Sequence, residues 1–207
     1  MLHELLWKAN ADLATACRDN PFVRGLGDGT LPAAAFRRYV AQDAFFLRAF
    51  LRAYALALVK CADEAHQRTL YELMGGVLDE LRLHAAYAAR LGIDLHDVAP
   101  LPAARAYTDF LHETAWRAPL GEIVAAMTPC LRLYAWLGTT LAPQNRPGHP
   151  YGDWIGTYSG AAFAELADRL DALLDATADD TPAVRAAYRR AMECELAFFA
   201  APLEEPA

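Results

Sequence analysis

Apolar residues recur at intervals of three and four along almost the whole chain, and no alternating apolar-polar run is long enough to build a sheet. That rhythm predicts an all-α protein, cut into helices by clusters of glycine, proline and asparagine. The first helix is expected over about Leu2–Arg18, stopping near "DNP", and "GLGDGTLP" reads as a turn cluster. Pro32 suits the first turn of a long helix reaching about Cys61. Another is expected over about Asp63–Leu91, ended by Gly92. "IDLHDVAPLP" is a linker, followed by helices near Ala103–Trp116 and Pro119–Leu141. Beyond the breaker-rich loop "APQNRPGHP" come a short helix near Tyr151–Thr157 and longer ones over about Gly160–Ala176 and Pro182–Ala201. The tail "PLEEPA" is expected to fray. Eight segments with short connections, no repeat and no flexible linker predict one helical bundle over residues 1–207. Sites in such bundles are built inside, from side chains on facing helices.

Polar residues on the apolar stripes are therefore the candidates. In "FRRYVAQDAFFLRAF", Phe36, Tyr39, Val40, Phe46, Leu47 and Phe50 form a stripe with Asp43 at its centre. A carboxylate there costs several kcal/mol unless paired or hydrogen-bonded. It is either a buried acid bonded to a Tyr or Arg of another helix, or an acid facing a ligand cavity. In "VRAAYRRAMECELAFF" the stripe of Val184, Tyr188, Met192, Phe198 and Phe199 takes in Glu195, while Glu193 points away. In "MTPCLRLYAWLG", Cys130 shares the face of Ile123, Met127, Tyr134 and Leu137. Pro129 cannot donate to the carbonyl of Ala125, so a kink or local opening is expected beside the thiol. By itself that segment favours a packed cysteine, since a thiolate needs a nearby base, cation or helix N-terminus. Arg132 points to a different face.

Glu80 and His84 are four apart on one helix face and read as a structural hydrogen-bonded pair. A di-iron site would need a second Glu/His set, and none is found, so no metal is expected. Tyr107 and Tyr158 read as core aromatics with satisfied hydroxyls. Helix capping accounts for the segment with His149 and Asp153.

Composition narrows the classes. Of 207 residues 55% are hydrophobic and 22% charged, enough for a sizeable core. The net charge of -7 and the lack of a basic stripe argue against nucleic-acid binding. No signal peptide and no run of about 18 uncharged apolar residues is seen, so neither export nor a membrane span is expected. Four widely spaced cysteines without a CxxC pair read as free thiols of a cytoplasmic protein. No dinucleotide fingerprint, P-loop or GxSxG elbow is present.

Six segments, in order, resemble the TenA-type thiaminase II family: "GTLPAAAFRRYVAQDAFFLRAF", "DELRLHAAYAARLGI", "YTDFL", "AAMTPCLRLYAWLG", "HPYGDWIGTYSG" and "ECELAFF". The likeness runs from roughly Leu5 to Phe199, and "TPCLRLYAWLG" looks most like the branch with the thiaminase-like domain of plant thiamin-phosphate phosphatases. The resemblance implies a haem-oxygenase-like helical fold without haem, no cofactor, and usually a homotetramer, with a dimer as the alternative. It implies hydrolysis of 4-amino-5-aminomethyl-2-methylpyrimidine to the hydroxymethyl pyrimidine in thiamin salvage, with thiamin a poorer substrate. By position, Cys130 matches the family nucleophile, Asp43 the carboxylate that holds the amino edge and assists it, and Glu195 the acid on the opposite ring nitrogen. Tyr107 and Tyr158 match pocket tyrosines. Phe46 stands where many members carry a tyrosine, which bears on fine specificity. Two alternatives stay open: a fold relative acting on another ring compound, and a non-catalytic pyrimidine-binding or regulatory protein.

Overall fold

The computed structural model describes residues 1–95 and 98–204, with the backbone alone at residue 91. Among these residues there are ten α-helices, two 3-10 turns and no strand. The helices are α1 (Leu2–Ala9), α2 (Ala11–Asp19), α3 (Pro21–Asp28), α4 (Ala33–Lys60), α5 (Glu64–Leu91), α6 (Pro102–Arg117), α7 (Leu120–Leu141), α8 (Gly152–Tyr158), α9 (Ala161–Thr177) and α10 (Pro182–Ala200). From α4 onward each lies within a residue or so of the span its periodicity predicts.

The N-terminal third departs from the expectation twice. The first helix is two, because buried Asn10 interrupts it. Its side-chain amide donates to the carbonyl of Leu6 at 2.8 Å and its own carbonyl accepts from Leu13 and Ala14. An asparagine that bonds its local backbone in this way competes with the helix ladder. The expected turn cluster is largely helical as well. Asn20 caps α3 by accepting from the backbone of Phe22 at 2.9 Å, Pro21 supplies the pre-set first residue, and Gly29 ends it at φ 81°. Gly25 and Gly27 are there for contact rather than for turning. A Cβ on Gly27 would lie 2.6 Å from Leu141, and one on Gly25 3.1 Å from the backbone of Leu31.

One apolar cluster draws on all ten helices. Helix α7 runs through its middle, buried on nearly every face, and packs against α10, α9, α8 and α6. Helices α4 and α5 lie side by side across it. The described part of the linker after α5 is strapped to α4. Gln42 bonds the carbonyl of Ala99 and the amide of Leu101, at 3.2 and 2.7 Å, and Arg48 donates to the carbonyl of Leu95 at 2.9 Å. Residues 96 and 97 of that linker lie outside the described residues, as do 205–207 of the tail. The tail's first part, Ala201–Leu203, forms a 3-10 turn whose Pro202 carbonyl accepts from Arg38 at 2.8 Å. No helix among the described residues is long and apolar enough to cross a membrane.

Candidate active site

Five helices bring their polar residues to one place beside α7. Asp43 comes from α4 and is 4% exposed; Glu195 comes from α10 and is 1% exposed. Cys130 arrives on α7 between them. The charges of Glu195 and Asp43 both act on its thiol. Cys130 lies deep in the molecule yet keeps intermediate surface accessibility, while its neighbour Met127 is covered. Helix α7 continues through Pro129 as a single element. The hydroxyl of Thr128 donates to the carbonyl of Val124 at 2.8 Å beside the proline. Arg132 faces away, as its position predicts, and pairs with Asp171 of α9.

Two lobes of chemistry meet at Cys130. On one side Tyr107 of α6 donates to Glu195 Oε1 at 2.7 Å, with Phe46 packed on Tyr107 at a centroid distance of 4.7 Å. Burial raises the Glu195 pKa to about 8, the Tyr107 hydrogen bond partly offsetting it and the charge of Asp43 adding to it. A carboxylic acid held neutral near pH 7 can give a proton to a bound base. On the other side Asp43 Oδ2 lies 2.6 Å from Nε2 of His84, on α5. The Tyr39 hydroxyl is 3.2 Å from that oxygen and equally far from the hydroxyl of Tyr134, and Trp154 of α8 donates to it. Tyr158, also on α8, donates to Glu80 Oε1 at 2.5 Å.

Glu80 and His84 thus differ from the expected mutual pair. His84 Nδ1 meets the Glu80 backbone carbonyl at 3.0 Å, while the two side chains reach to Tyr158 and Asp43. Burial also raises the Glu80 pKa, reinforced by Asp43 and opposed by His84 and Tyr158, to about 7. The Cys130 thiol is pushed up by burial and then by the charges of Glu195, Glu80 and Asp43, so the resting site holds it protonated. Tyr39, Tyr134 and Trp154 were not singled out from sequence. The usable signal was spacing: Tyr39 precedes Asp43 by four residues and Tyr134 follows Cys130 by four, the interval that stacks side chains on one face.

Asp43, Glu80 and His84 offer three donor atoms within 4.8 Å of one another. The 2.6 Å between His84 and Asp43 is a proton-bridged distance, shorter than two ligands around one ion at about 2.0–2.2 Å normally keep. The His84–Asp43 contact therefore fits a hydrogen-bonded pair better than two ligands of one ion, with the Glu80 carboxylate beside it bonded to Tyr158. Glu80 also lines an open cleft of about 510 Å³ between α5, α8 and α9, with Leu83, Phe163 and Leu166.

Residues 8–205 match the family model described as the TENA/THI-4/PQQC family. The chain is 38% identical to an aminopyrimidine aminohydrolase of Halalkalibacterium halodurans over 76% of its own length and 73% of that protein. It is 39% identical to the thiamine biosynthesis multifunctional protein ThiED of Corynebacterium efficiens over 76% of this chain, which spans 22% of that larger protein. It is 33% identical to the bifunctional TH2 protein of Arabidopsis thaliana over 90% of its length, 35% of that protein. Among solved structures, a TenA family transcription regulator from Silicibacter sp. TM1040 superposes with a TM-score of 0.92 at 28% identity, covering 98% of this chain and 96% of that one.

Proposed function

Because this chain belongs to the TENA/THI-4/PQQC family, we propose that it is an aminopyrimidine aminohydrolase of thiamin salvage that works through Cys130. The hydrolases among its relatives support the reaction class. The observation that carries the mechanism is the juxtaposition of the Cys130 thiol with two buried acids, Glu195 and Asp43, each bonded into the polar network of the interior.

A 4-aminopyrimidine is electron-poor, and protonation of a ring nitrogen makes the neighbouring carbon electrophilic. Glu195, kept neutral by burial and held by Tyr107, supplies that proton. The Cys130 proton passes to Asp43 as sulfur bonds to the ring carbon. The electron pair then expels the exocyclic amine, which leaves as ammonia after taking a proton. Water adds at the methylene, and departure of the thiolate restores the aromatic ring. Phe46 offers a ring face against the pyrimidine, and Tyr158 and Tyr134 line the opposite side. The cleft at Glu80 is the route in. Hydrolysis of thiamin by the same site, and assembly as a homo-oligomer, belong to this reading as well.

The test is purified protein with 4-amino-5-aminomethyl-2-methylpyrimidine, following ammonia and the hydroxymethyl product. Wild type should turn over, and Cys130→Ala should lose at least about a thousandfold in rate, as removal of one member of a covalent-catalysis unit does. Wild-type ammonia release no faster than that of Cys130→Ala would sink the hydrolase reading. If Cys130→Ala then bound the pyrimidine as tightly as wild type, a binding or regulatory protein would take its place.

A further inference from the structure

His84 is buried between two acids, 2% exposed. Its Nδ1 lies 3.0 Å from the Glu80 carbonyl oxygen, which can only accept, so Nδ1 carries a hydrogen. Its Nε2 lies 2.6 Å from Asp43 Oδ2, and two lone pairs do not face each other at that distance. One proton must therefore lie on this line. Either it sits on Nε2, giving an imidazolium and an aspartate, or on Asp43, giving a neutral ring and a carboxylic acid. Oδ2 also receives the hydroxyl of Tyr39, which suits an oxygen that accepts.

The surroundings bear on the choice. Facing this pair are Glu80 and Tyr87 of the same helix, Tyr39 of α4, Cys130 and Tyr134 of α7, Tyr158 of α8 and Glu195 of α10. Each of these is neutral or negative. Among the described side chains of the cluster, His84 alone can carry positive charge. No hydrogen bond holds Asp43 Oδ1 among the described residues.

We propose that the bridging proton belongs to His84, and that the imidazolium makes it a positioning residue: it pins Oδ2 of Asp43 and leaves Oδ1 as the base for the thiol of Cys130. When substrate binds, the proton leaves Sγ for Oδ1, the electron pair stays on sulfur to form the carbon–sulfur bond, and the His84 proton remains in place. Burial by itself would lower the His84 pKa, but the charge and hydrogen bond of Asp43 outweigh it and raise it to about 9, so the cation persists at neutral pH. The role given to Cys130 rests on the hydrolase reading; the charge of the ring does not.

Two measurements test this without the pyrimidine. In wild-type protein labelled with ¹⁵N-histidine, His84 should show both ring nitrogens protonated at pH 7, titrating near 9. A neutral-ring pattern at pH 7 overturns the proposal and needs no variant. The second is the rate of Cys130 alkylation by iodoacetamide against pH, read by peptide mass spectrometry. His84→Gln keeps a donor toward Asp43 but no charge, and should slow alkylation at pH 7 about tenfold, the equivalent of one pKa unit. With the aminomethyl pyrimidine, the same variant should lose kcat by a similar factor while KM stays within about threefold. Alkylation and kcat both within twofold of wild type, in a variant that melts like wild type, would also overturn it. If the wild type releases no ammonia while the ¹⁵N pattern and the alkylation shift are as expected, the hydrolase reading falls and the His84–Asp43 pair stands.

Discussion

Tyr107 illustrates what a single hydroxyl does in this interior. Burial drives the Glu195 pKa upward, and the 2.7 Å hydrogen bond from Tyr107 holds it back to about 8. Tyr107→Phe should therefore raise it further. If Glu195 works as the acid, the alkaline limb of the pH–rate profile should move to higher pH, by roughly one unit. The profile of kcat/KM between about pH 6 and 10 checks this, and an unmoved limb would contradict the acid role. At this scale the sequence made Asp43 and Glu195 conspicuous, because a polar residue on an apolar stripe is costly, whereas Cys130 by itself read as packing and gained its role only from the family resemblance. His84 and Glu80 were conspicuous too, but their partners were not. Helical spacing shows which residues share a face, whereas the acid that His84 meets is 41 positions away on another helix.

Helix α7 shows the same division between elements. Its span was legible from proline and apolar period, but its closeness to α8 was not. A Cβ on Gly138 would lie 2.3 Å from the carbonyl carbon of Tyr158 and 2.6 Å from the amide of Ser159. On an open helix Gly→Ala adds about 1 kcal/mol of stability. Here it must move the backbone that carries Tyr158, so Gly138→Ala should destabilise by roughly 1–3 kcal/mol and weaken the Tyr158–Glu80 bond. Urea unfolding measures the first effect. An unchanged midpoint would mean that α8 yields without cost. The N-terminal helices teach the converse lesson. Glycine and asparagine look like breakers in sequence, yet Gly25 and Gly27 sit inside α3 because the chain packs closely there, while Asn10 divides α1 from α2 by satisfying itself locally.

For the whole molecule, the buried cluster sets how stability depends on pH. Glu80, Glu195 and His84 all have folded-state pKa values above their ordinary ones, near 7, 8 and 9. Raised values mean that the folded state binds these protons more tightly than the unfolded chain. The resulting stability is present in acid and lost as pH rises, from about 4.5 to 8 for the two glutamates and from about 6.5 to 9 for His84. The depressed carboxylates Asp28 and Asp175 act near pH 4 and below, outside most of this window. The melting temperature should thus be lower at pH 9 than at pH 6, with a loss on the order of a few kcal/mol, and Glu195→Gln should flatten the slope. Calorimetry across that range decides it; a rise toward pH 9 would contradict it. By itself the sequence determined that the chain is all helix, where the later helices begin and end, and which buried stripes carry acids and a thiol. Those properties follow from periodicity and from the cost of burying charge, and both are local. The tertiary structure alone decided that His84 is shared with Asp43, that Glu80 turns to Tyr158, and that Tyr107 meets Glu195. Such pairings depend on how five helices pack around α7, and packing distance leaves no period in the sequence.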